Sequence, residues 1–300
     1  MSIEVARPVI HKVERSIKSI MMEAWTLTNG AKGTFWWAFF LCGLCMIPII
    51  LVFVLIYILI SLVGVNVTTT LVMDTVSATL SAPFAAAIWM VGIRYVSKQP
   101  SNNTKILGYF SLLRKFFIMS FWTTLLIVTS KMICERLISA WLELPPNTTL
   151  VSNLMANITH ESILDYPSAS VAIDYHQIIF FVMAAVITSI PVFIVSFMYL
   201  FSLPLIVDKK LTAWNALETS RKAIARNWLK IGAIYLVLMI ISFLPILLFY
   251  VHVSIVVFLL DVLAYIWILP FALLVNSVLY RETFARPNSD EPSSEQSTNV

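Results

Sequence analysis

Twenty-nine consecutive residues, Phe35 to Val63, read FWWAFFLCGLCMIPIILVFVLIYILISLV and contain no charged side chain. A helix crosses ~30 Å of hydrocarbon with about 20 residues, because each residue adds 1.5 Å along the axis. The run therefore predicts a transmembrane helix. Since it is longer than a bilayer requires, we expect the helix to tilt, kink or project beyond the lipid.

Five further apolar runs follow along the chain, each bounded by turn residues or charge. They are Thr75–Tyr95, Phe116–Met132, Ile178–Val207, Ile231–Tyr250 and Val253–Tyr280. Only 12% of the 300 residues are charged, about half the usual share of roughly 25% in soluble proteins. The sequence predicts an all-α polytopic membrane protein with six transmembrane helices in residues 34–280. It disfavours a soluble enzyme, a secreted disulfide scaffold or a protein that binds nucleic acid.

The lysines and arginines indicate the orientation of these spans. Eighteen of them fall in the N-terminal segment, the two connections after the second and fourth spans, and the C-terminal tail. The other side of the predicted membrane has only Lys131 and Arg136. By the positive-inside rule, both termini are predicted to be cytoplasmic and the loop 144–174 to face outward. The polar tail 281–300 is expected to be disordered and cytoplasmic.

Three cytoplasmic segments have apolar residues at helical spacing. In residues 1–33, we predict an amphipathic helix from Pro8 to Leu27, ended by Asn29 and Gly30, that lies on the membrane surface. A second helix is predicted from Thr104 to Lys115. A third is predicted from Leu211 to Trp228, within the connection 208–229. Each helix precedes a pair of spans, so the chain reads as three helix-plus-hairpin units, and both internal duplication and chance similarity remain open.

Prolines lie inside five of the six predicted spans, where a missing backbone donor favours a kink. The predicted helix kinks are at Pro48, Pro83, Pro191, Pro245 and Pro270.

Two aspartates occupy matching positions, since Asp74 and Asp261 each lie nine residues before a Pro-Phe-Ala step. A carboxylate inside a membrane span is a functional candidate. Each aspartate, however, lies twenty residues before an arginine that marks the inner boundary, which places it near the outer one. We therefore favour interfacial carboxylates that cap or anchor the helices. An outer vestibule that binds cations or protons is the alternative.

Residues after the fourth span resemble a known group. The step from Pro204 to Asp208, followed by the pairs Ser220-Arg221 and Asn227-Trp228, is similar to a broad group of poorly characterised bacterial six-helix membrane proteins. That group includes the YciC-like proteins and the membrane domain of some glycerophosphodiester phosphodiesterases. The resemblance covers mainly residues 178–280. It implies a bacterial cytoplasmic membrane and six spans, and it implies no reaction.

Arg221 has an unusual position in the third amphipathic helix. At 100° per residue, Trp214, Leu217, Ile224 and Trp228 form one stripe, and Arg221 falls in its middle. The arginine is therefore expected to reach the lipid headgroups or to point toward the bundle. In the second case it would pair with Asp208 or with helix C-terminal carbonyls, which would fasten the inner ends of the spans, or it would receive an anionic ligand.

No enzyme motif occurs in the chain: the metalloprotease His-Glu-x-x-His, the phosphate-binding loop and the Gly-x-Ser-x-Gly elbow are all missing from the sequence. We predict no enzymatic activity, no cofactor and no metal centre. Cys42 and Cys45 are interpreted as packing residues rather than a soft-metal pair. Whether the outer polar residues bind a metal is left open; these residues are His160, Asp165, Asp174, His176 and His252.

These features together favour a non-enzymatic protein of the bacterial inner membrane that supports envelope organisation or homeostasis. Its predicted partners are membrane lipids, anionic ones above all, contacted through the cytoplasmic helices. The alternative is a transporter or channel-like protein for a small solute, since kinked helices help to form cavities and gates.

Overall fold

The computed structural model describes residues 8–63, 67–99, 103–141, 175–251 and 255–284. These residues form helices and connections and contain no strand. Six of the helices are long and apolar enough to cross a membrane. The all-α, polytopic fold class predicted from the sequence is therefore confirmed. In chain order the elements are α1 (Ile17–Val63), α2 (Val67–Val96), the 3₁₀ helix η1 (Asn103–Leu112), α3 (Leu113–Trp141), α4 (Tyr175–Met198), α5 (Ser202–Asp208), α6 (Ala213–Val251) and α7 (Ile255–Phe284).

The chain divides into two compact units. The first comprises residues 1–120 and 199–300, and contains α1, α2, η1, α5, α6 and α7. The second comprises residues 121–198, with most of α3 and all of α4. Within the second unit the rings of Phe193 and Phe197 stack on α4, with centroids 6.1 Å apart.

The first helix differs from the prediction at both ends. It begins at Ile17 rather than Pro8, and it continues past Asn29 and Gly30 to Val63, a total length of 47 residues. A glycine inside a helix costs only about 1 kcal/mol, which tertiary packing outweighs. One continuous buried stripe at helical spacing passes through this region and holds it in the helix. Its members are Ile20, Ala24, Thr28, Ala31, Phe35, Ala38 and Cys42.

The predicted second amphipathic helix is also different. Residues 103–112 form η1, and the α-helix begins only at Leu113 and continues as α3. The ring of Phe110 in η1 packs edge-on against Phe84 of α2, with centroids 5.3 Å apart. Phe84, Cys42 and Ala87 form a small apolar core under this contact. Cys42 therefore lies in an apolar packing environment, whereas Cys45 is exposed on α1, so the packing interpretation fits Cys42 and not Cys45.

The predicted fourth span is broken into two helices. Helix α4 ends at Met198, and α5 begins at Ser202. Ser220, which is fully buried, accepts a hydrogen bond of 3.1 Å from the backbone N–H of Phe201 at this break. The Phe201 ring is itself buried, edge-on to Phe284 with centroids 5.7 Å apart. A side chain from α6 thus supplies the acceptor that the interrupted helix lacks.

The prolines lie inside helices, with Pro48 in α1, Pro83 in α2, Pro191 in α4 and Pro270 in α7. Pro245 falls within the range of α6. Bends at these positions remain a prediction.

Close packing of α2 on α7 depends on Gly92. A Cβ atom built on Gly92 would overlap the Ser277 Oγ and would lie 3.5 Å from Phe35. Lipid is as apolar as the side chains, so membrane helices associate through close packing rather than through the hydrophobic effect. Small residues such as glycine permit that close approach.

We expect Gly92→Ala to lower the free energy of unfolding in nanodiscs by about 1–3 kcal/mol through overpacking. Adding Ser277→Ala should restore most of the loss, because the Ser277 Cβ lies a tolerable 3.4 Å from the built atom. Gly43→Ala in α1 is the matched control, since a Cβ there meets nothing within 4 Å. Equal melting temperatures for the Gly92 and Gly43 variants would contradict this account of the interface.

Candidate functional site

The N-terminal strap, residues 8–16, lies in non-helical conformation on α6 and α7 before α1 begins. The backbone N–H of His11 donates to the carbonyl of Thr283 at 3.0 Å. The backbone N–H of Val13 donates to Asn227 Oδ1 at 2.9 Å, and Asn227 Nδ2 donates to the His11 carbonyl at 3.2 Å. Since these bonds use the strap's main chain, they fix its path almost independently of its side chains.

Asn227 interrupts α6 at the point where the strap crosses it. Its backbone is non-helical, with φ −120° and ψ 18°, and its side chain is buried. Besides the two strap bonds, its Nδ2 lies 3.2 Å from the Ala223 carbonyl. The break separates the amphipathic start of α6 from its apolar remainder. Sequence reasoning assigned Asn227 no role, although it stands in the motif that carries the family resemblance.

Two cations beside Asn227 bind the same strap. Arg226 Nη1 donates to the Ile10 carbonyl at 2.8 Å. Lys230 Nζ lies 2.6 Å from the Val13 carbonyl and 3.0 Å from that of Glu14. Within the described residues neither cation forms an ion pair, so both positive charges rest on neutral oxygens.

Four charged residues connect the end of the strap and the start of α1 with the end of α7. Glu23 pairs with Arg15 and with Arg281, the latter at 3.0 Å. Glu282 also pairs with both arginines, at 3.2 Å to Arg15 and 3.1 Å to Arg281. The hydrogen bond to Glu23 raises the pKa of the Arg15 guanidinium above its ordinary value. All four side chains are partly exposed, so the network positions the strap's end more than it stabilises the fold.

Arg221 lies on the exposed face of α6. Its Nε and Nη2 donate to the two carboxylate oxygens of Glu218, at 2.9 and 2.8 Å. Of the predicted stripe, Leu217 and Ile224 are buried. Trp214 and Trp228, by contrast, are 61% and 62% exposed. The pairing of Arg221 with Asp208 is therefore wrong, because a carboxylate three residues away satisfies the guanidinium without burial.

Asp208 has different partners. Its Oδ2 accepts a hydrogen bond of 2.9 Å from the hydroxyl of Tyr280, and Lys209 Nζ lies 3.1 Å away. Tyr280 is buried near the end of α7. Asp208 thus fastens the end of α5 to α7, which is a structural role.

The candidates predicted to lie near the outer membrane boundary are Asp74, Asp261 and the outer polar residues. Asp74 is exposed on α2, and both interpretations of it stay open. The side chains of Asp261 and His176 fall outside the described residues, as do residues 160, 165, 174 and 252. Among the residues that the structure describes, no three His, Cys, Asp or Glu side chains gather to hold a metal.

Comparison of the chain with known protein families, curated proteins and solved structures found no match. The resemblance to the bacterial six-helix group therefore stays a prediction.

Asn227→Ala should release the strap. The change leaves the Val13 N–H and the His11 carbonyl without their partner, and we expect it to cost about 1–3 kcal/mol of stability. Hydrogen exchange at the Val13 amide should accelerate in parallel, as measured by mass spectrometry. Asn215→Ala, on the same helix and away from the strap, is the control and should leave exchange unchanged. Unaltered protection of Val13 in the Asn227 variant would show that the strap is held by other contacts.

Proposed function

We propose that this integral membrane protein is non-enzymatic and supports envelope organisation or homeostasis in the bacterial cytoplasmic membrane. In this proposal its cytoplasmic side contacts anionic lipid. The six membrane-spanning helices support a multi-pass membrane protein. The exposed face of α6 is the observation that carries the proposal of lipid contact.

The basic aromatic face of α6 consists of Trp214, Arg221, Lys222 and Trp228, all of them exposed. Tryptophan is enriched at the membrane–water interface, and basic residues near an anionic surface contribute about 1 kcal/mol each. The opposite side of the same segment is packed into the protein, with Ala216, Leu217, Ala223 and Ile224 buried. Helix α6 therefore presents this face outward from a fixed position.

The charge of this face supports anionic rather than neutral lipid. Glu218 forms ion pairs with both Arg221 and Lys222, so one carboxylate is shared by two cations. A net positive charge remains, and Arg226 one turn further along adds to it. Two tryptophans beside this charge supply the apolar contact that a headgroup layer accommodates.

The proposal is tested by purifying the protein in nanodiscs of mixed neutral and anionic phospholipid and measuring retained lipid by native mass spectrometry. The wild type should retain anionic lipid preferentially. We expect the preference to fall about tenfold in Arg221→Gln/Lys222→Gln, the equivalent of about 1.4 kcal/mol. Trp37→Ala, which removes an exposed tryptophan of α1, should keep it.

Equal retention of neutral and anionic lipid by the wild type would remove lipid charge from the account. Proteoliposomes prepared from the same protein separate the transporter alternative, because selective uptake of a small solute would move the function to that class.

The proposed orientation has its own test. With Cys42, Cys45 and Cys134 replaced, a single cysteine introduced at Ser152 should react with an impermeant maleimide in intact cells. One introduced at Ser97 should react only after the membrane is opened, because the basic connections are proposed to be cytoplasmic. Labelling of the Ser97 position from outside would reverse the proposed orientation.

A further inference from the structure

We propose that Arg226 and Lys230 form a binding site for the phosphate of an anionic lipid, and that the N-terminal strap is the internal ligand that this phosphate displaces. The inference rests on the proposed function, since it names a specific lipid site next to the basic aromatic face.

The acceptors that the two cations now use are neutral backbone carbonyl oxygens. Arg226 contacts the Ile10 carbonyl, and Lys230 contacts the carbonyls of Val13, Glu14 and Arg15. A hydrogen bond with an ionised donor or acceptor is roughly twice as strong as a neutral one, and a phosphate adds the opposite charge that a carbonyl oxygen lacks. A phosphate would therefore be a stronger acceptor for each cation than the carbonyl oxygen that it replaces.

Arg226 and Lys230 contact the same part of the strap. Both contact a strap segment only six residues long, from Ile10 to Arg15, so their charged groups serve one short stretch of backbone. Trp228 and Leu229 lie between them in sequence and are 62% and 67% exposed. Basic groups beside exposed apolar side chains are the combination that receives a phosphate together with its acyl chains.

The side chains of the strap differ in burial. Val13 is fully buried, whereas Val9 is 68% exposed and Lys12 and Glu14 are exposed. Residues 10–14 of the strap are thus bound mainly through main-chain hydrogen bonds, and Val13 is the fully buried apolar side chain that their release would expose. Arg15, paired with Glu23 and Glu282, would keep the end of the strap attached to the protein. Hydrogen bonds to Asn227 and to the Thr283 carbonyl would have to open with those of Arg226 and Lys230.

Hydrogen exchange of the full chain in nanodiscs tests the displacement. The His11 and Val13 amides, which donate to the Thr283 carbonyl and to Asn227, report whether the strap is docked. In neutral phospholipid they should be protected. In nanodiscs containing phosphatidylglycerol, we expect their protection to fall about tenfold, since two basic groups gain an anionic partner.

Three variants make the result specific. Arg226→Gln/Lys230→Gln should abolish the difference between the two lipid compositions. Arg226→Lys/Lys230→Arg changes both side chains but conserves their charge, and it should keep the difference. It therefore distinguishes loss of charge from a disturbance of the fold. Lys98→Gln/Arg114→Gln removes the same charge from exposed residues that belong neither to the strap nor to the basic aromatic face, and its strap amides should still respond to phosphatidylglycerol.

The outcomes separate this inference from the function on which it rests. Preferential retention of anionic lipid with strap amides that stay protected would overturn the displacement and leave the function standing. Absence of any lipid preference would overturn both. Inorganic phosphate added to neutral nanodiscs should leave the amides protected, and a loss of protection equal to that caused by phosphatidylglycerol would overturn the assignment to lipid.

Discussion

The first unit depends on close approach between α1, α2 and α7. Lipid is as apolar as leucine, so burying apolar surface gives membrane helices no hydrophobic gain, and association must come from dispersion contacts and hydrogen bonds. Both require short distances between backbones. Ala24, Ala31 and Ala38 on α1 and Gly92 on α2 provide the small surfaces that permit them. The long, unbroken α1 follows from this constraint, because its buried stripe must continue across Asn29 and Gly30 to keep the contact.

Sequence patterns predicted what depends on composition and missed what depends on a distant partner. The six spans were predicted because apolar length and flanking charge are local properties. The predicted helix start at Pro8 was wrong, although residues 17–27 are helical, because the preceding segment is bound by Asn227, more than two hundred positions away. The helical wheel placed Arg221 in the middle of a stripe of apolar residues, two of which are buried and two exposed. The stripe therefore straddles the boundary between the buried and exposed sides, and only packing shows on which side Arg221 lies.

The break in α6 and the strap support each other. A non-helical residue in a helix leaves backbone groups that need partners, and a non-helical segment outside any sheet has the same need. Asn227 serves both, since its side-chain amide has one acceptor and two donors in one plane, like a peptide group. Its Oδ1 accepts from Val13, and its Nδ2 lies within hydrogen-bond distance of the carbonyls of His11 and Ala223. An aspartate lacks the donors, and a leucine would fill the space while leaving the strap's polar groups unsatisfied.

Seven cations of the first unit are satisfied in three ways, and the differences matter for what the molecule can bind. Arg15 and Arg281 face carboxylates and are electrically compensated. Arg221 shares Glu218 with Lys222 and is partly compensated. Arg226, Lys230 and Lys115 donate to backbone carbonyls, which satisfies their hydrogen-bonding groups but leaves their charge. A full positive charge next to exposed tryptophan attracts an anion whenever one is near, because a carbonyl dipole screens only part of its field. The hydrogen bonds that position the strap therefore leave Arg226 and Lys230 able to bind an anion, and under the proposed function a membrane lipid would supply it.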